Sequence, residues 1–247
     1  MPDVLTMTAR CFRLTTRQVD ALLTSLLLPV LLMLLFVCLF GGAIHTGTRY
    51  VTYVVPGVLL LCAGYGAAVT AVSVSQDMSS GIIDRFRSLD VTGAAILSGH
   101  IAASIARNAA STVLVFGVAC LIGFRPHAGP AGFLAAAGLL LAYVLAVSWL
   151  AAAFGLAVKT PEAANGFMFG VAFLPYASSA FVPIATMPAW IRGFSRDQPV
   201  TPATEAIRGL LLGTPAGAKP WIALAWCGGI LAAGVLLSGV AFRRRTA

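Results

Sequence analysis

Six long apolar runs dominate the chain, and most of the polar residues fall between them. The runs cover approximately Ala21–Ile44, Val51–Val74, Ala102–Phe124, Gly132–Val158, Ala163–Ala185 and Trp221–Phe242. Each reaches the ~20 residues that an α-helix needs to cross ~30 Å of hydrocarbon. They are continuous and not alternating, so the pattern predicts transmembrane helices and excludes barrel strands. Arg107 and Asn108 interrupt the third run near one end, where the arginine can snorkel toward the headgroups. Pro175 is expected to kink the fifth.

The stretches between the runs carry their own pattern. On a helical wheel over residues 3–20, Arg10, Arg13 and Arg17 share one side and Val4, Leu5, Met7, Cys11, Phe12, Leu14 and Val19 spread over the other. This predicts an amphipathic helix lying in the interface, with a frayed basic tail as the plainer alternative. Two connections are too long for simple turns: Ser75–Ile101 between runs two and three, and Thr186–Pro220 between runs five and six. The chain therefore reads as a single all-α transmembrane domain, 1–247. Its interfacial helix lies at 3–20, and two candidate functional segments lie outside the lipid at 75–101 and 186–220.

Composition agrees with that class. The chain is 59% hydrophobic and only 10% charged, against roughly 25% charged in a soluble domain. The net charge of +8 raises nucleic acid as a partner, but the basic residues flank the apolar runs and form no aromatic-interleaved groove, which argues against it. Placing both termini in the cytoplasm puts Arg10, Arg13, Arg17, Arg85, Arg87, Arg107, Lys159 and Arg243–Arg245 on the inner side. Arg49, Arg125, Arg192, Arg196, Arg208 and Lys219 then lie outside. No small-residue cleavage site follows the first run, which is expected to be retained as a span. The five cysteines include no C-x-x-C pair and read as small buried hydrophobes, so no metal site is expected.

The segment SQDMSSGIIDRFRSLDVTGAAILSGH, Ser75 to His100, sets Asp77, Asp84, Arg85, Arg87 and Asp90 beside Ile82, Ile83, Phe86 and Leu89. Ser79 or Ser80 can cap a short helix running to Leu89, on which Ile82, Phe86 and Leu89 share a face. Such a helix can dock a soluble partner; an ordinary solvated loop accounts for the same residues. The run D-x-x-x-G-x-x-D-R-x-R-S-L, containing Asp77, Gly81, Asp84, Arg85, Phe86, Arg87 and Leu89, resembles the signature of type 2 ABC permeases. Its nearest likeness is to the daunorubicin-resistance-type drug and lipid exporters. That resemblance implies a coupling helix here, seated in a groove of a separate ATPase subunit. The family usually has proline after the leucine, where this chain has Asp90. The stretch through Pro29 to Gly41 and the segment Met187–Gly213 extend the resemblance over nearly the whole chain.

In the second long connection, Pro188, Trp190, Ile191 and Arg192 form an amphipathic piece suited to the interface. Thr201 with Pro202 reads as a helix start, Glu205 and Arg208 stand three apart and can pair, and Gly213 is placed to end the helix. The resemblance implies short extracellular helices that close an exit path, making Trp190, Glu205 and Arg208 candidate gate residues. A structural salt bridge with helix caps is the competing and simpler account. Gly166 with Gly170, and Gly229 with Ala233, have the small-x-x-x-small spacing that permits close helix packing.

The run centres lack charge, which disfavours proton or sodium coupling. There is no phosphate-binding G-x-x-x-x-G-K-[ST], no H-E-x-x-H and no G-x-S-x-G. No enzyme and no cofactor is expected in this chain; ATP and magnesium would sit in the partner ATPase. The reading is the permease subunit of an ATP-driven exporter in a bacterial inner membrane. It would be paired with a second permease copy or paralogue and would move a hydrophobic drug-like or lipid substrate. The alternative is a stand-alone secondary transporter or membrane scaffold.

Overall fold

The computed structural model describes residues 8, 10, 11, 19–44, 47–81 and 93–246. Among these every regular element is a helix, with no strand. The helices are α1 (Val19–Phe40), α2 (Tyr50–Ser79), α3 (Gly93–Leu121), α4 (Pro130–Ala157), α5 (Pro161–Ala164), α6 (Gly166–Tyr176), α7 (Ala189–Asp197), α8 (Val200–Leu212) and α9 (Lys219–Thr246). A single 3-10 turn, Ile184–Thr186, precedes α7.

Among the described residues, four helices are long and apolar enough to cross a membrane: α2, α3 from Ala95, α4, and α9 to Arg244. They coincide with runs two, three, four and six. The first run is the helix α1, of which Leu26–Phe40 forms an apolar stretch. The fifth is not one helix. Asn165 separates α5 from α6, and α6 stops at Tyr176, directly after Pro175. Proline withdraws a backbone donor and crowds the preceding turn. Ser178 Oγ then donates to the Pro175 carbonyl at 2.6 Å, fixing a turn where the sequence pattern suggests continued helix.

The boundaries around the first long connection also differ from expectation. Helix α2 continues to Ser79 and α3 already starts at Gly93, so much of Ser75–Ile101 is helical extension of the flanking spans. Ser79 is the last residue of α2 and Ser80 its C-cap, and the short helix expected after them lies outside the described residues. The two serine hydroxyls donate back to the Gln76 and Asp77 carbonyls, and Gly81, at φ 68°, closes α2 in a conformation that favours glycine. The coupling-segment residues Asp84, Arg85, Phe86, Arg87, Leu89 and Asp90 lie outside the described residues, as does most of 3–20.

Helix α2 is the centre of the bundle, buried along most of its length and packed against α1, α3, α4 and α6. Its 30 residues span about 45 Å at 1.5 Å per residue, more than the ~30 Å hydrocarbon thickness. Helix α4 lies between α2 and α9. Gly155 sets the α2–α4 approach, because a Cβ there would run into the backbone of Ala71, 3.1 Å from its carbonyl carbon. Gly234 plays the same part against Trp149 and Leu150, bringing α9 onto α4.

Candidate functional site

Charged and polar side chains gather at three levels: one end of α2, a seam through the bundle, and the opposite end beneath α7 and α8. At the first level Asp77, in the last turn of α2, is only 9% exposed. Arg10 grips it with two nitrogens, Nη1 to Oδ2 at 2.8 Å and Nη2 to Oδ1 at 3.1 Å. His100, on α3 and 6% exposed, places Nε2 3.1 Å from the same Oδ2. A bidentate guanidinium–carboxylate pair is both strong and directional, and the Asp77 hydrogen bond raises the pKa of Arg10 above its ordinary value. The cluster ties the N-terminal segment to both helices that flank residues 82–92. Asp77 thus faces inward as a tether, not outward as a surface charge. Gly81 stands beside it as the stop of α2, with open space where a side chain would go.

The seam runs between α2, α3 and α4. Arg107 does not snorkel; it is 5% exposed, and its Nη2 donates to the Gly66 carbonyl and to Thr70 Oγ1, each at 2.8 Å. Neither contact is a carboxylate. Asn108 Nδ2 donates to the Ser104 carbonyl at 2.9 Å, and the hydroxyls of Ser104 and Ser148 meet at 2.9 Å. Arg107 Nε and Asn108 Oδ1 are buried without a hydrogen-bond partner among the described residues. The expectation of a charge-free interior is corrected here: the third span carries a buried cation held by helix carbonyl and hydroxyl dipoles.

At the opposite end, α7 places Trp190 82% exposed and Phe194 half exposed, a surface suited to headgroup depth. Thr201 is not an N-cap, since α8 begins at Val200; its hydroxyl bonds to the Ser195 carbonyl and accepts from Ser179 N, stapling α8 to its neighbours. Gly213, at φ 68°, ends α8 as expected. Glu205 and Arg208 take different partners. Glu205 pairs with Lys219 at the start of α9. Arg208 lies over the Tyr53 ring at 3.7 Å and donates to the Tyr53 and Ser179 carbonyls, both at 2.9 Å. Burial lowers the pKa of Arg208.

The small-residue pairs are placed differently again. A Cβ at Gly166, Gly170 or Gly229 would meet nothing within 4 Å, and Ala233 is exposed, so none of them packs a helix among the described residues.

The profile of the ABC-2 type transporter family matches residues 2–212, from before Arg10 to the end of α8. This chain belongs to that family. The permease is 31% identical over 195 residues to the daunorubicin resistance ABC transporter permease protein DrrB1 of Streptomyces coeruleorubidus, covering 78% of its own length and 69% of that protein's. It is also 25% identical over 237 residues to a probable doxorubicin resistance ABC transporter permease protein DrrC of Mycobacterium tuberculosis, covering 94% and 86%. As the membrane subunit of an ABC transporter, the permease leaves ATP hydrolysis to a partner subunit. Sequence reasoning singled out Asp77 but missed Arg10 and His100 as its partners. The one available signal was that Asp77 and His100 bracket the connection between two spans.

Proposed function

We propose that the permease exports a hydrophobic drug-like or lipid molecule, working as one of two membrane subunits above two ATPase subunits that bind ATP and magnesium. The observation that carries this reading is its similarity, over most of its length, to permeases named for daunorubicin and doxorubicin resistance. The single domain 1–247 would sit in a bacterial plasma membrane with both termini in the cytoplasm. Its six crossings would be α1, α2, α3, α4, the broken α5–α6 stretch with its returning turn, and α9.

In this reading residues 75–101 form the ATPase-coupling segment, and the Arg10–Asp77–His100 cluster roots it against Arg10 of the N-terminal segment. Glu205, Arg208 and Trp190 belong to the outer gate. A second copy would pair along α1 and α6. Leu27, Leu31, Leu35 and Leu39 form an exposed stripe on α1, and Phe169 and Phe173 stand exposed on α6. Phe36 and Tyr176 link the two surfaces, their ring centroids 6.3 Å apart.

The test is co-purification followed by transport. A tagged permease, co-expressed with its candidate ATPase, is expected to bring that subunit down and to drive ATP-dependent uptake of an anthracycline into inverted vesicles. Phe86→Ala and Arg87→Glu are expected to lose both. If no ATPase is recovered and no uptake is seen, the exporter reading fails.

A further inference from the structure

Beneath α7 lies a cavity of about 1080 Å³, bounded by α7, α8 and the foot of α9. Its wall carries three basic side chains, Arg192, Arg196 and Lys219, and two acidic ones, Asp197 and Glu205. Their commitments differ. Lys219 and Glu205 neutralise each other. Arg192 spends Nη2 on the Ala185 and Met187 carbonyls, at 3.1 and 2.8 Å, which fixes its direction. The side chains of Arg196 and Asp197 make no hydrogen bond or ion pair with any described residue. Arg192 and Arg196 stand four apart, on one face of α7, and Gly193 between them leaves the space beside them open. On the α9 side the wall turns apolar with Ile222 and Trp226, and Trp190 and Trp221 are exposed nearby, at the depth where tryptophan meets headgroups.

An uncommitted cation, an uncommitted anion beside it and an apolar strip leading toward the hydrocarbon match one kind of molecule. We propose that this groove binds the phosphoethanolamine headgroup of a membrane phospholipid. The phosphate bridges Arg192 and Arg196. The ammonium lies on Asp197, at the C-terminal end of α7, where the helix dipole favours positive charge. The acyl chains leave along Ile222 and Trp226. Inorganic phosphate satisfies the arginines alone and makes no use of Asp197 or the apolar strip. The inference rests on the membrane placement of the chain and not on what it transports.

Native mass spectrometry of the full-length permease, purified from membranes and titrated with dioleoyl phosphatidylethanolamine, tests it. Wild type is expected to retain the lipid several-fold better than phosphatidylglycerol. Arg196→Gln, which removes a charge-assisted contact, is expected to weaken retention about tenfold. Asp197→Asn is expected to erase the preference between the two lipids. Arg125→Gln removes an exposed charge from the loop tied to the end of α8 by the His127 N to Leu211 O bond, and should change nothing. Gly193→Glu, at a position with room for a side chain, provides a second way to repel the phosphate if Arg196→Gln folds poorly. Equal losses in Arg196→Gln and Arg125→Gln would reduce the effect to diffuse surface charge and overturn the site. Displacement of the lipid by millimolar inorganic phosphate would reassign the site to a free anion. Equal retention of both lipids by wild type would refute the role given to Asp197. Each result is independent of whether transport is detected.

Discussion

At the residue scale, what matters is which charges have partners. Asp77 has two, and one of them arrives from a distant part of the sequence. The cost of breaking such a pair comes mainly from the group left behind. A double-mutant cycle of Arg10→Gln and Asp77→Asn, read by thermal unfolding in detergent, is expected to give a coupling of about 1–2 kcal/mol, since the pair is only partly buried. Additive single mutants would show that the tether carries no energy. Arg107 presents the opposite case. A buried cation with no carboxylate among the described residues loses its hydration for dipolar contacts, so Arg107→Met is expected to leave thermal stability unchanged or higher. Any loss of transport in that variant would then reflect function and not folding. The contrast explains what the sequence could and could not convey. Asp77 stands out as the first acid after a long apolar run, but Arg10 is 67 residues away, and only tertiary structure joins them. Arg107 bonds to the Gly66 carbonyl, a group every residue carries, and to the hydroxyl of Thr70, one uncharged residue among many, so nothing in the sequence marks its partners.

At the element scale, lipid makes the spans easy to read and proline makes one of them misleading. Continuous hydrophobicity is obligatory for a helix in hydrocarbon, so runs two, three, four and six become long helices. The fifth has the same composition, yet Pro175 and the Ser178 hydroxyl end it early. Hydropathy does not register a single missing donor. Glycine spacing misleads similarly. The conspicuous G-x-x-x-G pair on α6 touches nothing among the described residues, while the isolated Gly155 fixes how closely α4 approaches α2. Gly155→Ala is therefore expected to destabilise by about 1–3 kcal/mol through overpacking. Gly170→Ala should be neutral or mildly stabilising in the isolated chain, and thermal unfolding of both variants in one detergent separates them. If Gly170→Ala instead lowers the fraction of dimer on size-exclusion chromatography, α6 is a contact between copies.

At the scale of the whole molecule, the described residues leave a broad apolar surface on α1 and α6, suited to lipid or to a second copy. Cys38, exposed on α1 close to the leucine stripe, reports which. Mild oxidation in native membranes is expected to give a disulfide-linked dimer that Cys38→Ser abolishes; a monomer under all oxidising conditions would place α1 away from the pairing surface. The interior has a longer-range property. Helix α2 carries Asp77 near one end and, near the other, the Tyr53 carbonyl held by Arg208. Roughly 36 Å of helix axis separates them at 1.5 Å per residue. Were α2 to move as one rigid body, both ends would shift together. Opening at one membrane face and loosening at the other would then be a single mechanical event, and a barrier could be kept across the bilayer at every moment without any separate sensor to coordinate the two sides.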